Sequence, residues 1–352
     1  MHLFSPLRIR EIELKNRIVV SPMCEYSAKD GHPQTWHFVH LGSRAVGGAG
    51  LVFTEATAVE ERGRISAADT GIYDDAHADS WRPIAQFIRE HGAVTGMQLA
   101  HAGRKASTAA PWTGGKPVLP QNGGWKPVAP SAIAFDGGYT MPHALSLAEI
   151  EGVIAAFQKA AARAVAAGFE ILEIHAAHGY LIHQFLSPLS NTRNDEFGGT
   201  FENRVRFPLR VVAAVRSVVP ERLPLFVRVS ATDWKEGGWD LAQTIELARR
   251  LKGAGVDLID ASSGGAVSGV AIPFGPGYQT KFSEAIRSQA GIATGAVGMI
   301  TEPTQAETIL ATGQADLVFL ARELLRDPYW PRRAAHVLGV KIKAPVQYER
   351  AW

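Results

Sequence analysis

Eight short apolar runs that alternate with amphipathic helical segments constrain the fold of this chain more than any other feature. The runs are Arg17–Met23, Gly50–Val59, Val94–His101, Phe169–His175, Leu225–Ser230, Val256–Ser262, Ile292–Val297 and Leu317–Ala321. Each is almost continuously apolar, which is typical of parallel strands covered on both faces. The helical segments are Trp36–Val46, His77–His91, Leu147–Ala167, Phe201–Val218, Leu241–Gly253, Phe282–Ala290, Pro303–Thr312 and Pro328–Leu338. This alternation predicts an α/β fold, a closed (β/α)8 TIM barrel.

The chain has 352 residues, more than the roughly 250 typical of such a barrel and enough for two smaller domains. No linker interrupts the strand–helix period, so we expect residues 1–352 to form a single domain. The segment Phe4–Leu14 is predicted to form a small hairpin that covers the N-terminal end of the barrel, its floor. Long connections, Gly103–His143 and Gly179–Gly199, follow the third and fourth strands. Connections that follow strands lie at the C-terminal face of the barrel, where long loops usually bind ligands or act as lids.

Residues typical of helix ends support these predicted boundaries. Gly168, Gly255 and Gly313 come just after predicted helix ends, where a left-handed residue is common. Ser146 and Thr200 come just before predicted helices and are suited to cap them.

Composition excludes several classes of protein. The formal net charge is +2 with interspersed signs, so we expect no nucleic-acid or membrane partner. The single cysteine, Cys24, excludes an intramolecular disulfide, a four-thiolate zinc site and an iron–sulfur cluster held by the chain. Because neither a signal-peptide pattern nor a membrane-length apolar stretch is present, we expect a cytoplasmic protein.

Polar residues collect where the predicted strands end, and the ends of parallel barrel strands meet at one mouth. They include Ser21–Tyr26, Gln98, His101, His175, His178, Tyr180, Arg228, Ser262–Gly265, Gly295, Gly298 and Arg322. Gly295 and Gly298 suit a close backbone approach to a phosphate, and Arg322 suits a fork-shaped ion pair with it. No Gly-x-Gly-x-x-Gly or Walker pattern follows a strand, so a Rossmann domain is not indicated.

Other interpretations of these residues remain open at this point. His175 and His178 could be zinc ligands of a metal-dependent barrel hydrolase, although no further ligand set is evident. Cys24 and Tyr180 suit core packing as well as chemistry. We expect His101 and Arg104 to serve the structure of the long loop.

Taken together, seven segments resemble the old yellow enzyme family of FMN-dependent ene-reductases, in its compact bacterial class. The segments are Asn16–Cys24, Gln98–Lys105, Ala129–Ile133, His175–Tyr180, Ser190–Gly199, Glu202–Arg204 and Gln347–Trp352. They span almost the whole chain in family order. A non-catalytic flavin-binding protein would leave the histidine pair and Tyr180 without a purpose.

The resemblance implies a non-covalent FMN cofactor. The residues it implies around FMN are Ser21, Pro22, Met23 and Cys24 beside the flavin, Ala56 and Gln98 at the ring, Arg228 near N1 and O2, and Gly298, Ala321 and Arg322 at the phosphate.

For the substrate, the resemblance implies activated alkenes of α,β-unsaturated carbonyl and nitro compounds. His175 and His178 would bind the carbonyl oxygen, Tyr26 would line the substrate, and Tyr180 would deliver a proton. NADPH or NADH would first reduce the flavin in the same pocket, which gives a ping-pong cycle.

The chain end carries a further implication. In the resembling class an arginine of the tail reaches a neighbouring subunit, so we expect residues 340–352 in a subunit interface and Arg350 in a neighbour's pocket. A homodimer or homotetramer follows. The long Arg104–Pro130 loop, with Trp112 and Trp125, is expected to reshape the pocket or to contact another subunit.

Overall fold

The computed structural model describes residues 1–352 and contains a closed barrel of eight parallel strands. In chain order the strands are β1 (Ile18–Val20), β2 (Leu51–Ala58), β3 (Val94–Ala100), β4 (Ile171–Ala176), β5 (Leu225–Ser230), β6 (Leu258–Ser262), β7 (Ala293–Val297) and β8 (Leu317–Leu320). Each strand pairs with the next one along the chain, and β8 pairs with β1. The predicted (β/α)8 barrel is confirmed.

Eleven α-helices surround or cap the barrel. They are α1 (Thr35–Val46), α2 (Asp75–Glu90), α3 (Leu147–Ala166), α4 (Leu181–Leu186), α5 (Phe201–Arg204), α6 (Arg206–Arg216), α7 (Leu241–Gly253), α8 (Thr280–Ala290), α9 (Pro303–Ala311), α10 (Arg322–Arg326) and α11 (Trp330–Val337). None of them is both long and apolar enough to span a bilayer.

Two helical predictions need correction. The predicted helix Phe201–Val218 is interrupted at Val205, because Pro208 has no N–H to donate to the carbonyl of Arg204. The connection Gly179–Gly199, for which the sequence predicts an irregular path, contains α4, whose six residues are all buried. That short helix holds the loop after β4 against the barrel.

The residues predicted to begin and end helices are confirmed in those positions. Ser146 and Thr200 each accept a hydrogen bond from the backbone N–H three residues later, at the start of α3 and α5. Gly168, Gly255 and Gly313 have φ values of 96°, 90° and 73°. These left-handed residues let the chain turn sharply from a helix towards the next strand.

The inside of the barrel is apolar at its N-terminal end. The rings of Phe226 and Phe319 both lie with their centres 6.1 Å from that of Phe53. Below them the antiparallel hairpin Leu7–Ile9 and Ile12–Leu14 packs its apolar side chains on this cluster. The predicted floor hairpin is therefore confirmed. The polar residues at the strand ends lie at the opposite, C-terminal end of the barrel.

Gly295, for which the sequence suggests a ligand contact, serves this packing instead. A Cβ atom at Gly295 would lie 2.2 Å from the ring of Phe319. The absence of a side chain makes room for an aromatic ring inside the barrel.

We expect Gly295→Ala to lower the free energy of unfolding by about 2 kcal/mol, because overpacking a rigid core forces its neighbours to move. The matched control is Gly152→Ala on the exposed side of α3, where a Cβ would meet no atom within 4 Å. The control should raise stability by about 1 kcal/mol through helix propensity. Urea unfolding measures both, and equal stability of Gly295→Ala and wild type would contradict the packing argument.

Candidate active site

Two buried polar pairs form the lowest layer of the mouth, directly above the aromatic rings. Gln98 Nε2 donates to Glu173 Oε1 at 2.7 Å. Arg228 lies with Nε 2.8 Å from an oxygen of Asp260, and its Nη2 donates to Ser21 Oγ at 2.9 Å. All five side chains are at most 5% exposed. The sequence-predicted residues Ser21, Gln98 and Arg228 are thus brought together, each with a fixed orientation.

The two acids of this layer differ in their electrostatics. Burial raises the pKa of Glu173, and the nearby Asp260 charge raises it further. Burial also raises the pKa of Asp260, but the adjacent guanidinium of Arg228 opposes that effect. Asp260 is therefore the counter-ion of Arg228, while Glu173 is the acid that holds a proton.

His175, His178 and Tyr180 lie together above this layer. The His175 ring centre is 5.1 Å from that of His178 and 5.0 Å from that of Tyr180, and both pairs meet edge to face. His178 has a left-handed φ of 59°, and its backbone N–H donates to Ser230 Oγ at 2.9 Å. This turn at the end of β4 brings the three side chains together.

Both imidazoles are neutral, because burial lowers the pKa of each well below its usual value. Nδ1 of His175 accepts the N–H of Ala177 at 3.2 Å, so its proton is on Nε2, which is then free to donate. Nε2 of His178 lies 2.7 Å from Ser262 Oγ, and its Nδ1 makes no hydrogen bond. Neutral imidazoles of this kind act as donors to an oxygen without carrying charge themselves.

The phenol of Tyr180 faces an opening rather than a partner. Its hydroxyl makes no hydrogen bond in the chain, and burial raises its pKa, which keeps it protonated. A cavity of about 160 Å³ is lined by Tyr180, Tyr26, Lys105 and Tyr139, among others. Cys24 and Tyr26 pack on the same small apolar cluster as Tyr180, so the end of β1 and the turn after β4 share this pocket.

The long loop after β3 forms one wall of this cavity. Trp112 is 68% exposed, and its ring meets Tyr26 edge to face at 5.7 Å. Trp125 is half-buried instead, donates from Nε1 to the carbonyl of Arg62 at 2.9 Å, and anchors the loop. The expectation that this loop shapes the pocket agrees with these contacts.

A second cavity, of about 330 Å³, extends across the ends of β7 and β8. Its lining includes Ser21, Pro22, Arg228, Gly298, Ala321 and Arg322. Gly298 has a φ of 119°, and a Cβ there would meet the side chains of Gln279 and Tyr278 within 3 Å. The exposed guanidinium of Arg322 forms no ion pair in the chain. A glycine turn beside an unpaired arginine is suited to a phosphate group.

Sequence reasoning missed Glu173 and Asp260. Both interrupt apolar strands, and both lie two residues before a predicted site residue, His175 and Ser262. Because side chains alternate along a strand, that spacing places the acids inside the barrel. An acidic residue at an inward-facing position of an otherwise apolar strand is a strong sequence signal of a functional residue.

The zinc interpretation lacks a ligand set. The structure contains no group of three His, Cys, Asp or Glu side chains arranged to hold a metal ion. One of the two ring nitrogens that His178 could offer to a metal, Nε2, is hydrogen-bonded to Ser262.

Comparison with known proteins gives the family. Residues 2–340 match the NADH:flavin oxidoreductase / NADH oxidase family. The chain belongs to this family. An NADPH dehydrogenase of Geobacillus sp. (strain WCH70) is 53% identical over 352 residues, covering 99% of this chain and 98% of that protein. The old yellow enzyme resemblance is confirmed, and the chain is a flavin-dependent oxidoreductase.

Solved structures agree. The old yellow enzyme homologue from Zymomonas mobilis superimposes with a TM-score of 0.79 at 30% identity, covering 98% of this chain and 94% of that one. The complex of 2-naphthoyl-CoA reductase with 2-naphthoyl-CoA gives a TM-score of 0.86 at 27% identity. That match covers 96% of this chain but only 52% of the other.

The residues present fit FMN. The cavity at β7 and β8 offers an unpaired arginine and a glycine turn for a phosphate. It continues to Ser21 and Arg228, where the buried polar layer begins. An anion-binding end connected to a polar, hydrogen-bonding floor is what a flavin mononucleotide requires.

We expect Glu173→Gln to flatten the pH dependence of stability. The folded-state pKa of Glu173 is raised, so its stabilising protonated form is fully present below the unfolded-state value and is lost as pH rises towards and through the folded-state value. Glutamine is neutral at every pH. The wild type should therefore lose more unfolding free energy between pH 5 and pH 8, by about 1.4 kcal/mol for each pH unit by which folding raises the pKa of Glu173.

Urea unfolding at the two pH values measures this difference. Asp260→Asn is the matched control: it should destabilise the protein at both values, because it leaves the buried Arg228 charge unpaired. Parallel pH curves for wild type and Glu173→Gln would show that Glu173 is ionised in the folded protein.

Proposed function

We propose that this protein is an NADPH-dependent ene-reductase that reduces the activated C=C bond of α,β-unsaturated carbonyl compounds and of nitro compounds. One observation carries the proposal: two neutral imidazoles and a free phenol lie together at the end of β4, with the ring centre of His175 about 5 Å from those of His178 and Tyr180. The relative at 53% identity is named an NADPH dehydrogenase, which supports NADPH as the reductant.

The chain's own residues would hold the cofactor. Ser21, Pro22, Met23, Cys24 and Ala56 would lie beside the flavin, Gln98 and Arg228 would lie below it, and Gly298, Ala321 and Arg322 would hold its phosphate. Bound, reduced FMN supplies the hydride that adds to the β-carbon of the alkene. Arg228 would place positive charge on the floor, where it would stabilise negative charge that develops above it.

The imidazoles would polarise the alkene. His175 offers its Nε2–H, and His178 offers the ring nitrogen that Ser262 does not occupy. When the carbonyl oxygen of the substrate accepts these donors, they stabilise the negative charge that develops on it. Because both rings are neutral, they bind the oxygen without transferring a proton to it.

Tyr180 would complete the reduction. As the O–H bond of the phenol breaks, a C–H bond forms at the α-carbon, so the alkene gains a hydride and a proton in total. Tyr26 would line the opposite side of the same cavity. NADPH and the alkene would occupy this cavity in turn, which gives a ping-pong cycle.

We expect Tyr180→Phe to bind FMN and to be reduced by NADPH at the wild-type rate, because neither step uses the phenol. Oxidation of the reduced enzyme by 2-cyclohexenone should slow by about 100-fold, a typical contribution of a general acid. Purified protein should be yellow, bleach with NADPH under anaerobic conditions and regain colour with the enone. An unchanged enone rate in Tyr180→Phe, followed by stopped-flow absorbance, would assign the proton to another group.

We further propose that residues 1–352 act as one barrel domain whose tail, 340–352, lies in a subunit interface of a homodimer or homotetramer. The tail forms a 3₁₀ turn at Val346–Ala351, and the six residues of this turn are all exposed. Val346 and Trp352 are 70% and 53% exposed. Such side chains at a chain end are suited to a neighbouring subunit, and Arg350 would then complete the neighbour's substrate pocket.

We expect Arg350→Ala to raise the KM for 2-cyclohexenone about tenfold without changing the oligomer mass in light scattering, because one charged contact to the substrate is worth that much. A mixing experiment tests the contribution between subunits. Arg350→Ala and Tyr180→Phe subunits are unfolded, mixed and refolded together. Mixed oligomers then contain sites with an intact Tyr180 and a neighbour's intact Arg350, so the low KM should return; failure of the mixture to recover it would place Arg350 outside the neighbour's site.

A further inference from the structure

Lys105 is a half-buried cation beside the catalytic phenol. Its Nζ lies 5.1 Å from the ring centre of Tyr180 and 4.5 Å from that of Phe135. It donates hydrogen bonds to the carbonyls of His178, at 2.8 Å, and Gly265, at 3.3 Å. Lys105 lies on the 3₁₀ turn Gly103–Lys105, directly after β3, and lines the cavity that Tyr180 faces.

No carboxylate balances this charge. The titratable groups that face Lys105 are Arg104 on its own turn, the two neutral imidazoles His175 and His178 at the end of β4, and the phenols Tyr26, Tyr139 and Tyr180. Lys105 forms no salt bridge in the chain. Burial, with a smaller contribution from Arg104, lowers the pKa of Lys105 to about 8. Two carbonyl dipoles are the only protein groups that accept hydrogen bonds from this charge, so it is available to a negative charge that forms in the cavity during the reaction.

We propose that Lys105 is a positioning residue for the proton transfer, and that it supplies the counter-charge of the phenolate that Tyr180 becomes. This inference rests on the proposed function. When the O–H bond of Tyr180 breaks and the C–H bond at the α-carbon forms, the phenol oxygen keeps the electron pair. Lys105 stays protonated throughout, and water from the open cavity later returns a proton to Tyr180.

The distance suits this role. The amine lies 5.1 Å from the centre of the Tyr180 ring, over which part of the charge of a phenolate is spread, and an opposite charge at such short range lowers the pKa of an acid by about 1 to 3. Tyr180 needs such help, because burial raises its own pKa and makes it a weak acid. A stronger acid transfers its proton faster, so the cation beside the ring accelerates the step that completes the alkene reduction.

Lys105 also has a structural contact that the experiment must separate from this charge effect. Its bond to the carbonyl of His178 holds a residue with left-handed φ, and the next residue, Gly179, is so close to Gly265 that a Cβ would lie 1.9 Å from its carbonyl oxygen. Loss of the amine therefore affects the turn as well as the phenol. The charge effect requires a protonated amine and the phenol of Tyr180, whereas the effect on the turn persists when Tyr180 is replaced.

The test uses FMN-loaded, NADPH-reduced enzyme and compares oxidation by 2-cyclohexenone with oxidation by 1,4-benzoquinone. The quinone product takes its protons on oxygen, which exchanges with water and needs no positioned acid. The ratio of the enone rate to the quinone rate should fall about tenfold in Lys105→Met and should be largely retained in Lys105→Arg. In a Tyr180→Phe background, Lys105→Met should change the ratio no further.

The pH profile gives a second, independent reading. The charged form of Lys105 is present below its pKa of about 8 and is lost above it, so the wild-type enone ratio should fall as pH rises through 8. Lys105→Arg should keep the ratio level there, because arginine stays charged. Lys105→Met should show a low ratio with no fall at that pH.

A measurement without turnover separates this proposal from the proposed function. In oxidised enzyme labelled with 3,5-difluorotyrosine, whose phenol is more acidic, ¹⁹F NMR follows the ionisation of the ring at position 180, assigned by its loss in Tyr180→Phe. Lys105→Met should raise that pKa by about 1 or more. If Tyr180→Phe keeps the full enone rate but this rise in pKa is observed, the proposed acid role fails while the Lys105–Tyr180 interaction stands.

Three results would overturn the proposal. One is an unchanged pKa of the ring at position 180 in Lys105→Met. Another is an equal loss of the ratio in Lys105→Met and Lys105→Arg, which would leave only the structural contact. The third is a Lys105→Met effect on the ratio of the enone rate to the quinone rate that is as large in the Tyr180→Phe background as in the wild type.

Discussion

The site depends on a change of polarity inside the barrel. Phe53, Phe226 and Phe319 fill its N-terminal half, and the hairpin below them excludes water from that end. The polar side chains just above the rings therefore have no solvent beneath them and pair with one another instead. The Arg228–Asp260 and Gln98–Glu173 pairs are the result, and they fix the orientation of the two side chains expected beneath the flavin.

Burial also explains why neutral groups dominate the upper part of the site. His175, His178 and Tyr180 are each removed from water to an extent that favours the uncharged form. Neutral imidazoles and a protonated phenol are all hydrogen-bond donors. Under the proposed function these donors meet a substrate oxygen that gains negative charge, and the Arg228–Asp260 pair lies below them.

The fold was predictable because each strand is a run of apolar residues and each helix repeats at its own period. The end of the helix at Val205 was harder, since Pro208 occurs inside an otherwise helical pattern and the break lies before it. The six residues of α4 were missed because a short buried helix has no polar face to reveal its period.

Most of the site was predictable from strand ends, since closure of the barrel brings them to one mouth. Glu173 and Asp260 were missed because they lie within their strands, where only the alternation of side chains shows that they point inwards. The position of Lys105 against Tyr180 could not be read from the sequence. It depends on how the turn after β3 lies across the turn after β4, which is a tertiary contact between residues far apart in the chain.

The amine of Lys105 bonds two carbonyls, one in the loop after β4 and one in the loop after β6. Three loops are thereby tied together at a point directly beside the phenol. The segment Thr108–Gly115 of the connection after β3 lies outside that tie and contributes to the lining of the cavity. Exchange of this segment should thus alter which small molecules enter the cavity while the arrangement of Lys105, His178 and Tyr180 is kept, so the shape of the pocket can change separately from the side chains beneath it.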